Sequence, residues 1–224
     1  MALQRQALGL AASQARFPMA DTCLAICSRT LNRQLPLDQV LAEDFAWCTA
    51  WLAELKALFR AYAAAKAGQQ VLDYDDLLLA WHQMLEDAAL AAHVSARFDA
   101  VLVDEYQDTN RLQAAILQRL KPDGRGLTVV GDDAQSIYRF RGAEVGNILG
   151  FAAQFGAHSH SLRLERNYRS SQPILDASNA VINLAAEHHG KALWTTRSAG
   201  PRPQLLTVAD ELAQARRVAD GVLA

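Results

Sequence analysis

Residues 101–110 read Val-Leu-Val-Asp-Glu-Tyr-Gln-Asp-Thr-Asn, a short apolar run followed at once by polar side chains. The run from Val101 to Val103 is rich in β-branched residues and shows no polar alternation. It therefore predicts a strand that is buried on both faces of a parallel sheet. Because ligands bind at the carboxyl ends of such strands, we expect Asp104 and Glu105 to lie at a ligand site.

Two adjacent carboxylates at a strand end can perform two tasks in nucleotide chemistry. Asp104 can hold Mg²⁺ on a bound nucleotide, and Glu105 can accept a proton from an attacking water molecule. The alternative is that the aspartate only caps the next helix, which is the commoner situation for an isolated Asp-Glu pair. The segments that follow in the chain favour the catalytic interpretation.

A second apolar run, Leu127-Thr128-Val129-Val130, predicts the next strand, and it too ends in a polar loop, Gly131-Asp132-Asp133-Ala134-Gln135. The helix between the two strands is expected to be capped by Thr109 or Asn110. Its inward residues are predicted to be Leu112, Ile116 and Leu120. Because both strands end in acidic and amide side chains, the pattern implies a cleft that the two strand ends share.

Residues 137–142, Ile-Tyr-Arg-Phe-Arg-Gly, interleave aromatic side chains with arginines. This composition suits the stacking of nucleic acid bases and the binding of phosphates. For Phe140 the alternative is packing in the protein core. A helix is expected after this segment, from about Val145 to Phe155.

Residues 1–94 are predicted to be entirely helical. One long amphipathic helix is expected because apolar residues recur at alternating steps of four and three, at Leu41, Phe45, Cys48, Leu52, Leu55, Phe59 and Tyr62. A second helix is expected to begin at Asp73 as its N-cap. The tryptophans of this region are interpreted as core residues rather than as a stacking platform.

The remainder of the chain returns to a pattern of strands and helices. Residues 162–165 alternate as in a strand, and Pro173 fits the first turn of a helix. A further strand is predicted over residues 204–208, and a last helix is expected from Asp210.

Composition and charge limit the classes of function. The 224 residues carry a net charge of −2, so contact with nucleic acid would require a local patch. The cysteines Cys23, Cys27 and Cys48 fit neither a disulfide framework nor a zinc pattern, which favours a reducing cytoplasm. We see no candidate membrane span and no signal peptide, so the sequence predicts a soluble cytoplasmic protein without membrane partners.

Three blocks stand together in the sequence, at residues 103–110, 130–143 and 164–170, and the last of them reads Leu-Glu-Arg-Asn-Tyr-Arg-Ser. In this order and spacing they resemble the second, third and fourth motifs of superfamily-1 DNA helicases of the UvrD/Rep/PcrA type. Residues 72–78 and 191–195 resemble two further segments of that family. The resemblance extends over most of the chain from about Phe17 onward.

The resemblance implies an α/β fold, a partial RecA-like core of parallel strands with an inserted, all-helical accessory domain. Residues 1–94 would form the accessory domain, and residues 95–156 the C-terminal part of the first RecA-like core. Residues 157–224 would begin the second RecA-like core.

The resemblance also implies roles for individual residues, with ATP and Mg²⁺ as cofactors. Asp104 resembles the Mg²⁺ ligand and Glu105 the base that activates water. Gln135 resembles the sensor of the γ-phosphate, and Arg169 the arginine that reaches across from the second core. Tyr168 resembles the residue that stacks on the nucleotide base, although an ordinary packing aromatic is the alternative.

Tyr138, Phe140 and Arg141 resemble the part of the third motif that links the nucleotide state to single-stranded DNA. The position of Phe140 is often Trp in well-known members of the family. A phenyl ring has a smaller stacking face, so the coupling to DNA is expected to be weaker.

The chain departs from the family in one large respect, because no Gly-x-x-x-x-Gly-Lys-Ser/Thr phosphate loop occurs in its sequence. In the family this loop precedes the accessory domain. The simplest expectation is that the 224 residues are a piece of a longer polypeptide whose other parts complete the site, and that the piece alone is inactive.

The implied function is part of an ATP-dependent helicase that moves 3′ to 5′ on single-stranded DNA and unwinds duplex DNA in repair or recombination. One alternative is the helicase portion of a helicase–nuclease subunit. A second alternative is a non-catalytic, helicase-like module that binds DNA. The combination of Asp104, Glu105, Gln135 and Arg169 argues against the second alternative, because a binding module needs neither a base nor a phosphate sensor.

Overall fold

The described elements up to Ser95 are all helices, and short parallel strands follow. The computed structural model describes residues 1–10, 17–156 and 159–223, and at Arg141 it describes the backbone but not the side chain. The chain divides into two compact units, Met1–Ser161 and Leu162–Ala224.

The elements of the first unit alternate between α-helices, short 3₁₀ helices and two strands. The helices before the strands are α1 (Ala2–Ala7), α2 (Ala20–Arg33), α3 (Leu37–Asp44), α4 (Leu52–Gln69), α5 (Tyr74–Met84) and α6 (Ala88–Ser95). They are followed by β1 (Val101–Val103), α7 (Arg111–Leu120), β2 (Leu127–Val129) and α8 (Gly146–Phe155). The 3₁₀ helices span Ala46–Trp51, Tyr106–Asp108, Asp133–Gln135 and Arg139–Arg141.

The predicted long helix from Leu41 to Tyr62 is wrong, because α3 ends at Asp44 and α4 begins only at Leu52. Phe45 leaves the helical region, with φ −139° and ψ 46°, and a 3₁₀ helix follows. The break allows side chains from all three segments to enter one core cluster with α2, which includes Cys23, Ile26, Leu41, Cys48 and Leu55. Tertiary packing thus overrides the helical periodicity of the sequence.

The tryptophans of this region do not share one environment. Trp51 packs edge-on against Phe17, with 5.5 Å between the ring centroids. Trp47 is largely exposed, and Trp81 is less so. The interpretation of the tryptophans as core residues is therefore wrong for Trp47 and for Trp81, which is 43% exposed.

The first strands pair in parallel, as predicted, with Val101 opposite Leu127 and Val103 opposite Val129. The prediction that β1 is buried on both faces is wrong for the described residues, because Leu102 is 78% exposed. Successive side chains of a strand point to opposite faces. Val101 and Val103 are half-buried on one face, whereas nothing in the described ranges covers the face that carries Leu102.

Two predicted helix starts are confirmed, and both carry a reciprocal capping box. The side chain of Asn110 accepts a hydrogen bond from the backbone N–H of Gln113, and Gln113 Oε1 accepts one from the N–H of Asn110. Asp73 and Asp76 exchange the same pair of bonds at the start of α5. In α7 the three residues predicted to face inward are all buried: Leu112, Ile116 and Leu120.

The second unit contains α9 (Gln172–Ile182), with Pro173 in its first turn, and α10 (Glu211–Leu223). Both predicted helices are therefore confirmed. The predicted strands at residues 162–165 and 204–208 are wrong, since the described part of this unit contains one isolated bridge, between Arg166 and Trp194. In neither unit is a described helix long and apolar enough to cross a membrane.

Candidate active site at the strand ends

The carboxyl ends of β1 and β2 lie side by side, so the two polar loops begin at the same edge of the sheet. The backbone N–H of Val130 donates to Val103 O at 2.7 Å, and the N–H of Tyr106 donates to Val130 O at 2.9 Å. These ladder bonds bring the pair Asp104 and Glu105 next to the loop that starts at Gly131. The ends of the two strands thus form one local site.

Glu105 occupies a left-handed backbone conformation, with φ 50° and ψ 41°. For a residue other than glycine this conformation costs about 1–3 kcal/mol and is found preferentially at functional sites. Neighbouring hydrogen bonds hold it: the N–H of Glu105 donates to Asp104 Oδ1 at 2.9 Å, and the N–H of Asp108 donates to Glu105 O at 2.9 Å. The turn is therefore fixed by the residues of the candidate site itself.

Gln107 connects the two loops, although the sequence analysis did not single it out. Its side chain is 1% exposed. Its Nε2 donates to Glu105 Oε2 at 2.7 Å, and its Oε1 accepts from the backbone N–H of Asp132 at 3.0 Å. The sequence feature that could have identified Gln107 is an amide side chain two positions after Glu105. Its role depends on Asp132, which lies 25 positions away.

Gly131 is required at its position by close contact rather than by backbone conformation. A Cβ atom there would lie 2.5 Å from Gln107 Oε1 and 2.7 Å from Ile148 Cδ1. Any larger residue would push the amide of Gln107 away from the N–H of Asp132. The glycine therefore allows the buried link between the loops.

Gln135 joins the same network through Asp132. Its Nε2 donates to Asp132 Oδ2 at 2.9 Å, while Asp132 Oδ1 accepts from the N–H of Ala134 at 3.0 Å. Gln135 is exposed, as a group that meets a ligand must be. A chain of contacts therefore runs from Glu105 through Gln107 and Asp132 to Gln135.

Residues 137–142, the aromatic segment, contain a short 3₁₀ helix, Arg139–Arg141, and Gly142 follows that helix. The rings of Tyr138 and Phe140 lie 5.9 Å apart at an angle of 50°. Phe140 is 67% exposed, so it is not a core residue in this structure. The predicted contribution of the Arg141 side chain lies outside the described part of the chain.

Tyr168 and Arg169 lie in a loop of the second unit that hydrogen bonds keep in one conformation. Asn167 Oδ1 accepts from the backbone N–H of Arg169 at 2.9 Å, and Arg197 Nη1 donates to Arg169 O at 2.7 Å. The guanidinium of Arg166 lies 4.9 Å from the centroid of the Tyr168 ring. The side chains of Tyr168 and Arg169 are both exposed.

Asp104 offers one carboxylate at the strand ends as a possible metal ligand. Within the described ranges no group of three or more His, Cys, Asp or Glu side chains is arranged to hold a metal ion. Protein-bound Mg²⁺ in nucleotide sites commonly uses one or two carboxylates and takes its other ligands from phosphates and water. Asp104 is exposed and can contribute such a carboxylate.

The cysteines are poor candidates for nucleophilic chemistry. Burial raises the pKa of the Cys23 and Cys27 thiols to about 11. Thiols with a pKa this high are protonated near neutral pH, and the thiolate is the reactive form.

Comparisons with known proteins agree with the motif order. A sequence model described as the UvrD/REP helicase N-terminal domain matches residues 13–156. The ATP-dependent DNA helicase PcrA of Leuconostoc citreum is 39% identical over 181 residues, which are 80% of this chain and 24% of the relative.

Two further relatives bear the name DNA helicase II. The Escherichia coli (strain K12) protein is 39% identical over 74% of this chain and 23% of its own length. The Rickettsia typhi protein is 38% identical over 73% of this chain and 25% of its own length. The chain thus spans about a quarter of the length of the curated relatives that it matches.

Proposed function

Because this chain belongs to the UvrD/REP helicase family, we propose that it is part of an ATP-dependent DNA helicase that couples ATP hydrolysis to movement on single-stranded DNA and to duplex unwinding. The observation that carries the proposal is the network at the strand ends. Gln107 joins the carboxylate of Glu105 to the loop that bears Asp132 and Gln135. A base and a phosphate sensor that are linked in this way can respond together to one nucleotide.

In this proposal Glu105 is the general base. The donated hydrogen bond from Gln107 occupies Glu105 Oε2 at 2.7 Å and orients the carboxylate. The other carboxylate oxygen can then accept a proton from water. Gln135 orients water or phosphate through its amide, and Arg169 stabilises the negative charge that develops on the transferred phosphoryl group.

Asp104 is the proposed ligand of Mg²⁺, and the charge of the bound ion would neutralise that of the nucleotide phosphates. Tyr168 is proposed to stack on the nucleotide base, which its exposure permits. The phosphate loop that this site needs is proposed to lie elsewhere in the same polypeptide, since the 224 residues contain none.

The proposed organisation is an accessory helical domain over residues 1–94, the latter part of a RecA-like core over residues 95–156, and the start of a second core over residues 157–224. The helices up to Ser95 and the parallel pair of β1 and β2 support this organisation.

Single-stranded DNA is the proposed ligand of the segment that contains Tyr138, Phe140 and Arg141, and the exposure of the Phe140 ring supports this assignment. We further propose 3′-to-5′ movement and a role in DNA repair or recombination. A cytoplasmic location is part of the proposal, and the free state of Cys23, Cys27 and Cys48 supports it.

The catalytic assignment is tested by Glu105→Gln in the full-length polypeptide. The substitution preserves the size of the side chain and removes the base, so we expect the DNA-stimulated ATPase rate to fall by about 10²–10⁴-fold. Binding of single-stranded DNA should be retained. Glu43→Gln is the control, because it alters a carboxylate of the same unit that forms an ion pair with Arg33 at 2.8 Å.

The measurement is steady-state ATP hydrolysis with saturating single-stranded DNA. Partial duplexes with either a 3′ or a 5′ single-stranded tail then report the direction of movement. A fall of only a few-fold for Glu105→Gln would overturn its role as the base. Unwinding that requires a 5′ tail would overturn the proposed direction.

A further inference from the structure

We propose that Arg29, on α2 of the helical region, is a positioning residue that holds Phe140 in the orientation needed to contact single-stranded DNA. This inference rests on the proposed function of the aromatic segment. Its basis is a double contact across the chain: Arg29 Nη1 donates to Arg139 O at 2.7 Å, and Arg29 Nη2 donates to Phe140 O at 2.6 Å.

The two carbonyl groups that accept from Arg29 belong to the peptide units on either side of Phe140. A peptide unit is planar, so anchoring its carbonyl oxygen restricts the orientation of the whole unit. When both flanking units are anchored, φ and ψ of Phe140 are restricted as well, and with them the direction of the bond from Cα to Cβ. Arg29 therefore influences the direction in which the exposed side chain of Phe140 leaves the backbone.

Only an arginine can make this contact in the observed form. The guanidinium is a planar fork that donates two hydrogen bonds in parallel, whereas a lysine ammonium is a compact point charge. Bonds from a charged donor are shorter and stronger than bonds between neutral groups. Only 16% of the surface of the Arg29 side chain is exposed, although its two bonds to the carbonyl oxygens lie where solvent can reach them.

A second residue of α2 lies next to the same region. Asn32 lies one turn further along the helix, and a Cβ atom at Gly142 would lie 3.8 Å from its Cβ. Asn32 Oδ1 also accepts from Asn110 Nδ2 at 2.8 Å, and Asn32 Nδ2 donates to Asp75 Oδ1 at 2.8 Å. One face of α2 therefore contacts the aromatic segment, the start of α7 and the first turn of α5.

The competing interpretation is that Arg29 only contributes to a surface ion pair, because its Nε lies 3.7 Å from Asp44 Oδ2. Arg33 pairs with the same carboxylate oxygen at 2.9 Å from its Nη1. Loss of Arg33 removes a cation from α2 and an ion pair with Asp44, but leaves both bonds of Arg29 to the aromatic segment in place. Arg33→Ala is therefore the matched control.

The experiment uses the full-length polypeptide with Arg29→Ala, Arg29→Lys, Phe140→Ala and Arg33→Ala, and a fluorescent oligo-dT strand as the probe. We expect both Arg29 variants to raise the Kd for oligo-dT by about tenfold, which lies within the effect expected for losing one stacked base. The DNA concentration for half-maximal ATPase should rise in parallel, while the maximal rate at saturating DNA is retained. Arg33→Ala should stay within about twofold on both measures.

The decisive comparison is the double variant Arg29→Ala with Phe140→Ala. If Arg29 acts through Phe140, the double variant binds oligo-dT no more weakly than Phe140→Ala alone. Additive losses would overturn the inference, as would wild-type affinity in Arg29→Lys, which keeps the charge and the packing of the stem. If Phe140→Ala binds oligo-dT with wild-type affinity, Phe140 does not contact DNA. That result would contradict the proposed function of the aromatic segment rather than the role of Arg29.

Discussion

Gln107 can satisfy two loops at once because a primary amide carries a donor and an acceptor on one planar group. It donates to the carboxylate of Glu105 and accepts from the N–H of Asp132. A carboxylate at this position would repel Glu105, and an apolar side chain would leave the partly buried N–H of Asp132 without its acceptor. The amide is therefore the side chain whose chemistry matches both neighbours.

We expect Gln107→Leu to reduce the stability of the strand-end loops by about 1–3 kcal/mol, because the partly buried N–H of Asp132 loses its acceptor. ATP hydrolysis by the full-length polypeptide should fall as well, because Glu105 loses its orienting bond. The measurement combines hydrogen exchange of residues 104–108 with steady-state ATPase. Gln39→Leu, which breaks an exposed bond to Glu43, is the control. Equal activity of the two variants would contradict the role given to Gln107.

At the scale of the elements, the N-terminus of α5 carries both a capping aspartate and an ion pair with a lysine of α4. Asp73 caps α5, and Lys66 Nζ on α4 lies 2.7 Å from Asp73 Oδ2 and 2.6 Å from Asp76 Oδ2. Burial alone would raise the pKa of Asp73, but the hydrogen bonds from Lys66 and from the backbone N–H of Asp76 outweigh it and hold the pKa below its ordinary value. The ionised carboxylate therefore stabilises the junction of α4 and α5.

Asp73→Ala should destabilise α5 by about 0.5–2 kcal/mol through loss of the cap, and by a further increment through loss of the pairing with Lys66. The direction in which this stabilisation changes with pH follows from the lowered pKa of Asp73. The contribution is present above the unfolded carboxyl pKa of about 4 and is lost as the pH falls through the lower folded value. The difference between wild type and variant should thus shrink in acid.

Hydrogen exchange of the α5 amides at several pH values measures this local stability. Asp87→Ala is the matched control, because Asp87 caps α6 through the N–H groups of Ala89 and Leu90. The loss in Asp73→Ala beyond that of the control reports the bonds that Asp73 accepts from Lys66 Nζ and Tyr62 Oη. A loss that does not change with pH would show that the ionised form of Asp73 contributes nothing to the stability of α5.

At the scale of the whole molecule, two observations bear on what the 224 residues can do alone. The sequence contains no phosphate loop, and the face of β1 that carries Leu102 is exposed. Parallel strands normally have both faces covered, and a two-stranded sheet has little independent stability. Both observations support the proposal that other parts of the same polypeptide complete the candidate site.

We therefore expect no DNA-stimulated ATPase from the 224 residues alone, because the nucleotide phosphates would lack a backbone anion site and its lysine. The full-length polypeptide, assayed under the same conditions, is the positive control. Turnover by the isolated chain that Glu105→Gln abolishes would contradict the argument from the missing loop.

The sequence by itself determined those features whose causes lie within a few residues. Asp73 and Asn110 cap helices through groups three positions away, so each cap could be predicted from the local sequence. The parallel pairing of β1 and β2 followed from two apolar runs with a helix between them. The order of the motif blocks was likewise visible without coordinates, and it correctly indicated the helicase family.

Only the tertiary structure decided the features that depend on distant partners. The break at Phe45 arises because α3 and α4 pack into one core, and the strands predicted at residues 162–165 and 204–208 do not form because a strand requires a neighbour to pair with. Arg29 meets the carbonyl of Arg139 from 110 positions away. Periodicity and capping patterns depend only on residues that are close together in the sequence. Contacts between distant residues, such as that of Arg29, form only after the elements have packed together.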